Sequence, residues 1–272
     1  MRKEHFGGLA LAGGKTDKAC VAVIEYFPEP NKVFLSQIYD GHKPTGDVSG
    51  DLQIIEALET YPQGLKGLAV NAPLSFPKCV RCDLKCPGYE VCTEDEIQWM
   101  WNHWRSSTRK KNKRAKLFTP YTERAAEQWL STELEEKFEI QFAMGANMAP
   151  LLARAQFLAR RLKMPIYEAH AKVSLWRIGR ALNVQKSYLR FHTHAVGGED
   201  ARTNVLTSLV KKDVAFLYEQ DIRLMVKKPH AFDAFILALT ALLKSKGQCE
   251  SRPKGFPKEE SWIDLPKRDI IW

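Results

Sequence analysis

The stretch "GLKGLAVNAPLSFP", Gly64 to Pro77, decides the fold class. Its centre, Leu68-Ala69-Val70, is a short unbroken apolar run, as expected of a strand covered on both faces. Asn71-Ala72-Pro73 ends it, since proline has no N–H to give to a ladder. In open α/β sheets, ligands and metals gather just beyond the carboxyl ends of strands. Asn71 is therefore either part of a site or an ordinary turn residue.

Upstream of it lie three strand-like segments. "HFGGLALAGG" (His5–Gly14) and "KACVAVIEYF" (Lys18–Phe27) are separated by the turn chemistry of Gly13-Gly14-Lys15-Thr16-Asp17. Pro28-Glu29-Pro30-Asn31 makes the next turn and "KVFLSQIYD" (Lys32–Asp40) the third strand. Short turns imply an antiparallel meander. A helix follows, with Leu52, Ile55 and Leu58 on one face and Pro62 beyond its end.

Downstream comes a long excursion, then an amphipathic helix, "PLLARAQFLARRL" (Pro150–Leu162). "MPIYEAHA" (Met164–Ala171) reads as a fifth strand, "KVSLWRIGRAL" as a helix, and a polar link leads to the helix "ARTNVLTSLVKK". "KPHAFDAFILALTALLKS" has Pro229 in its first turn and an almost unbroken apolar body. "ESWIDLP" is a short strand or extended tail. The order β-β-β-α-β-(insertion)-α-β-α-α-α predicts an α/β fold with a mixed sheet of ribonuclease H-like type. A doubly wound fold would begin β-α-β. The expected organisation is one domain over residues 1–272, carrying a Cys-rich and basic inserted subdomain at 75–148.

No run approaches the roughly 18 apolar residues of a membrane helix, and the N-terminus has no secretory h-region. The expectation is a soluble cytoplasmic protein. Formal net charge is +9, and "RSSTRKKNKRAK" (Arg105–Lys116) holds seven basic residues and no acid. Such density attracts polyanions, nucleic acid first, through Arg109, Lys110, Lys111, Lys113, Arg114 and Lys116. The bland alternative is a solvated basic loop. In "WMWNHW", Trp99, Trp101 and Trp104 at helical spacing point to packing first and base stacking second.

Four of the six cysteines crowd into "CVRCDLKCPGYEVC". Cys79, Cys82, Cys86 and Cys92, with gaps of two, three and five residues, suit a tetrahedral structural zinc. An iron–sulfur cluster and free or disulfide-bonded thiols are the alternatives. Cys20 belongs to an apolar strand and Cys249 to the tail. His192-Thr193-His194 reads as part of a polar loop.

The motifs "GLALAG", "AVNAPLSFP", "YEAHAKVSL", "HAFDAFILALTAL" and "ESWIDLP", in that order, resemble the domain of unknown function family 429, predicted nucleases with a ribonuclease H-like fold. The resemblance implies divalent-metal-assisted phosphodiester hydrolysis with magnesium or manganese held by carboxylates. It also implies aspartates where this chain has Ala10 and Asn71. Glu168 and Asp233 then remain as metal-binding acids, with Asn71 as a neutral third ligand and Lys172 near the phosphate. Asp17 and His170 match no ligand position. The alternative is a catalytically inactive scaffold that binds nucleic acid or protein. Asp233, read as lying in the first helical turn, also has a dipole explanation. Glu168 in an apolar strand needs a partner such as Lys172.

Overall fold

The structure, a computed structural model, describes residues 3–12, 18–42, 44–111 and 116–272. In chain order the elements are β1 (Glu4–Ala10), β2 (Cys20–Phe27), β3 (Lys32–Asp40), α1 (Gly50–Glu59), β4 (Gly67–Val70), α2 (Lys78–Arg81), α3 (Asp95–Lys111) and α4 (Ala125–Glu133). There follow α5 (Met148–Arg161), β5 (Ile166–Glu168), α6 (Ala171–Ala181), α7 (Lys186–Phe191), α8 (Gly198–Lys211), β6 (Ala215–Phe216), α9 (Glu219–Lys227) and α10 (Pro229–Ser245). The turn Gly13–Asp17 expected from sequence lies outside the described residues.

Two compact units divide the chain. The first comprises residues 1–72, 157–250 and 263–272, the second 73–156 and 251–262. The second thus takes in a C-terminal stretch well beyond the excursion that its sequence marks out.

The first unit is built on a six-stranded mixed sheet in the order β5-β4-β1-β2-β3-β6. β1, β2 and β3 form the antiparallel meander. β4 pairs in parallel with β1 on one side and β5 on the other. Every residue of β4 is buried, which is why its sequence is apolar without alternation. The register Leu9↔Val70 sets Ala10 and Asn71 side by side at the strand ends.

α10 is the apolar helix foreseen from its sequence, starting at Pro229. It lies directly on β1. A Cβ added at Gly8 would stand 2.0 Å from the Ala234 carbonyl oxygen and 2.3 Å from the Ala238 nitrogen. Only glycine permits this backbone-to-backbone approach. The beginning of α10 is tied to the sheet by an ion pair from Lys228 Nζ to Asp40 Oδ2, at the carboxyl end of β3.

Two features of this unit differ from expectation, whereas the tail is extended as its sequence suggests. The polar link after α6 contains a helix, α7, whose Leu189 is buried. β6 and α9 add a short edge strand and a further helix before α10. Ile263 forms an isolated bridge with Glu168, and the Asp264 N–H donates to the Glu168 carbonyl at 2.7 Å, so part of the tail extends the sheet beside β5.

The second unit is organised by buried charge. Arg124, 1% exposed, donates to Glu127 at 2.9 Å and to Ser75 at 3.1 Å. Glu260 accepts the N–H groups of Ala125 and Ala126, at 3.0 and 2.7 Å, capping α4 from 134 and 135 residues away in sequence. A carboxylate there satisfies orphan donors and complements the helix dipole. Burial nevertheless drives the Glu260 carboxyl well above the usual range, with Arg124 opposing and the neighbouring Glu96 reinforcing the rise. Trp101 packs edge-on against Trp104 and Phe118, while Trp99 stacks on His103 and meets Phe256. These rings therefore pack within their own unit.

Candidate functional site

The candidate site lies in the first unit, at the carboxyl ends of β1, β4 and β5 and the start of α10. Asn71 follows β4, and its Oδ1 accepts the backbone N–H of Leu11 at 2.7 Å. Its own N–H donates to the Leu9 carbonyl at 3.3 Å. Asn71 thus carries the β1–β4 ladder one residue past the strands, using its side chain as a substitute carbonyl. Ala10 beside it is fully buried and offers no donor atom.

Asp233 lies one residue beyond the first turn of α10, which contains no acid. The dipole account of this residue is therefore weaker than its sequence position suggested. Its partner is His192, whose Nε2 lies 3.2 Å from Asp233 Oδ1. His192 is 1% exposed, which corrects the expectation of a polar loop. α7 delivers it inward as its C-terminal cap, and Arg202 of α8 donates to its carbonyl. The His192 Nδ1 is buried and has no hydrogen-bond partner among the described residues.

His170 caps the N-terminus of α6, its Nδ1 accepting the Val173 N–H at 3.4 Å. Burial pushes its imidazole down to about 4; Lys172 adds to the fall and Asp233 opposes it. Lys172 is exposed in the first turn of α6. Burial pushes the Cys20 thiol up to about 12, with Asp40 and Asp233 raising it further and Lys228 opposing. Asp233 is thus electrostatically coupled to His170 and Cys20. Glu168 ends β5 and is 4% exposed.

A pair of magnesium or manganese ions requires several carboxylate oxygens converging on each position. Here Ala10 supplies none, the Asn71 oxygen is neutral and engaged by the β1 backbone, and the acids are reduced to Glu168 and Asp233, one oxygen of the latter meeting His192. Among the described residues, no three His, Cys, Asp or Glu side chains gather in a geometry ready for a metal ion. The residues present do not fit the metal pair that the resemblance implies.

Of the basic segment, α3 continues to Lys111, so its first half prolongs the Trp-rich helix. The side chains of Arg109, Lys110 and Lys111, and the whole of Lys113 and Arg114, lie outside the described residues. Lys116 is exposed; its carbonyl accepts from Trp104 Nε1 at 3.1 Å and its Nζ lies over the Phe142 ring. Sequence reasoning placed His192 in a polar loop and missed Arg202 and the Asp40–Lys228 pair. Their only local signal was the amphipathic "KSYLRF" ahead of His192.

The family model described as "Protein of unknown function (DUF429)" matches residues 16–258. The chain belongs to this family. The DUF429 match takes in β4, β5, α10 and the cysteine-rich stretch, but begins after β1 and ends before "ESWIDLP". No curated protein and no solved structure matches the chain. Among the described residues, no helix is long and apolar enough to cross a membrane.

Proposed function

We propose that this DUF429 member is a ribonuclease H-like protein that binds nucleic acid without hydrolysing it. The architecture supporting the fold reading is the antiparallel β1-β2-β3 meander with β4 and β5 added in parallel beside β1. The observation that carries the loss of hydrolysis is the Asn71 side chain. Its only oxygen completes the β1–β4 ladder beside a fully buried Ala10, so neither position supplies a charged metal ligand. The net charge of +9 and the basic segment Arg105–Lys116 support a polyanionic partner.

The experiment offers the purified protein labelled single- and double-stranded DNA and RNA, with magnesium or manganese, and follows both binding and cleavage. Binding should weaken steeply with salt, and no product should form. Replacing Lys110, Lys111 and Lys113 with Gln should flatten the slope of log affinity against log salt by about two to three. It should weaken all sequences alike, because phosphate contacts do not read bases. Metal-dependent cleavage abolished by Glu168→Ala would restore the nuclease reading. A shallow salt slope unchanged in the triple variant would remove nucleic acid as the partner.

A further inference from the structure

The cysteine-rich stretch of the second unit is not used by the site above. Within it, none of residues 78–92 is buried, and Val80, Leu84 and Val91 are 46%, 64% and 66% exposed. A segment that buries so little apolar surface needs another means of holding its shape. It nonetheless has a defined path. α2 carries Cys79, and Cys82 caps its end, so the two sulfurs leave one side of a single turn. Lys78 pairs with Glu94 at 2.7 Å and Arg81 with Glu96, which fixes α2 against the beginning of α3. At the other end, the Cys92 carbonyl accepts Gln98 Nε2, tying Cys92 to that same first turn of α3. Between them the loop is pinned by Tyr89, whose carbonyl accepts Trp101 Nε1 at 3.0 Å.

Both ends of the stretch are therefore anchored to one place, with Cys86 on the loop that joins them. Cys86-Pro87-Gly88 makes a tight turn, with Gly88 at φ 95°, and the Gly88 N–H points at Cys86 Sγ from 3.4 Å. All four cysteines are free. The Cys82, Cys86 and Cys92 sulfurs all lie near enough to Cys79 for their charges to act on it.

We infer that Cys79, Cys82, Cys86 and Cys92 bind one zinc ion, which staples this stretch to the start of α3. Four soft ligands with no open position match a closed tetrahedral structural site. Among the described residues no three such side chains already stand around one point, so binding requires the loop to close on the ion. Four thiols and one Zn²⁺ give a tetrathiolate complex and four released protons, so affinity falls as pH falls. This inference is independent of the nucleic-acid reading.

The test is elemental analysis of the full chain purified without chelator, followed by removal of the metal and titration with Co²⁺. About one zinc per chain is expected, and Co²⁺ should give the near-ultraviolet thiolate charge-transfer and visible bands of a tetrahedral sulfur site. In the native protein a thiol reagent should find the four cysteines protected. Chelation should expose four and leave the buried Cys20 and Cys249 unreactive. Cys86→Ser should lose zinc, and Cys249→Ser should keep it. Should the serine variant misfold, the Co²⁺ spectrum and thiol count of the unaltered chain decide. Absence of metal, iron in place of zinc, a disulfide within the cluster, or full zinc in Cys86→Ser would each overturn the assignment.

Discussion

Gly8→Ala is the substitution that most directly tests how α10 is seated. The new methyl would meet the Ala234 carbonyl oxygen at 2.0 Å and the Ala238 nitrogen at 2.3 Å. To restore an ordinary contact of 3.4 Å, α10 or β1 must retreat by roughly 1.4 Å, since helix backbone cannot rotate away as a side chain can. That retreat opens the packing of a helix buried along most of its length. Overpacking of a rigid core costs about 1–3 kcal/mol, and this site belongs at the upper end, about 3 kcal/mol. For a domain of this size that lowers Tm by about 6–12 °C. Gly7→Ala is the control. Its methyl would approach the Leu68 and Leu65 methyl ends at 2.8 and 3.0 Å, which rotamer changes relieve. Thermal melts, with hydrogen exchange in β1 and α10, should rank Gly8→Ala well below Gly7→Ala. Equal stability of the two variants would refute direct backbone contact between α10 and β1.

Three further outcomes follow from the same geometry. Asn71→Ala leaves the Leu11 N–H without its acceptor and should cost about 1–3 kcal/mol in denaturant titration, whereas Asn71→Asp keeps an acceptor and should stay close to the parent. Asp233→Ala strips the buried His192 Nε2 of its partner and should cost a similar amount, about 1–3 kcal/mol, measured the same way. Burial raises the Glu123 carboxyl from 4.5 to about 7, against the opposing Thr119 N–H and with Glu127 reinforcing. Between those pH values the folded state holds a proton that the unfolded state has lost, so this group's contribution falls as pH rises. Glu123→Gln removes that loss and should gain about 3 kcal/mol on the parent from pH 4.5 to 7, an order-of-magnitude figure from 1.36 kcal/mol per pKa unit. The comparison must be between variant and parent. His170, lowered from 6.5 to about 4, contributes in the opposite sense, its share of stability rising with pH as the unfolded imidazole loses its proton. A parent–variant difference that is flat with pH would show that Glu123 titrates as an ordinary carboxylate.

The strands of the meander, β4, β5 and α10 were legible in the chain because their signals are local. Apolar runs, turn residues and a proline at a helix start act within a few residues of themselves. The absence of acid at positions 10 and 71 was equally legible, since it is a matter of identity. What Asn71 does was not: its oxygen serves an N–H 60 residues earlier, and only the parallel register of β1 and β4 brings the two together. His192 reads as polar in a polar neighbourhood. It becomes a buried partner of Asp233, 41 residues on, only when α7 packs inward. Glu260 likewise gave no local sign that it would cap α4. Periodicity records which face of an element is buried. It does not record which distant polar group that face will meet, because the pairing is chosen by the fold as a whole and each buried donor or acceptor then takes whatever partner the packing brings.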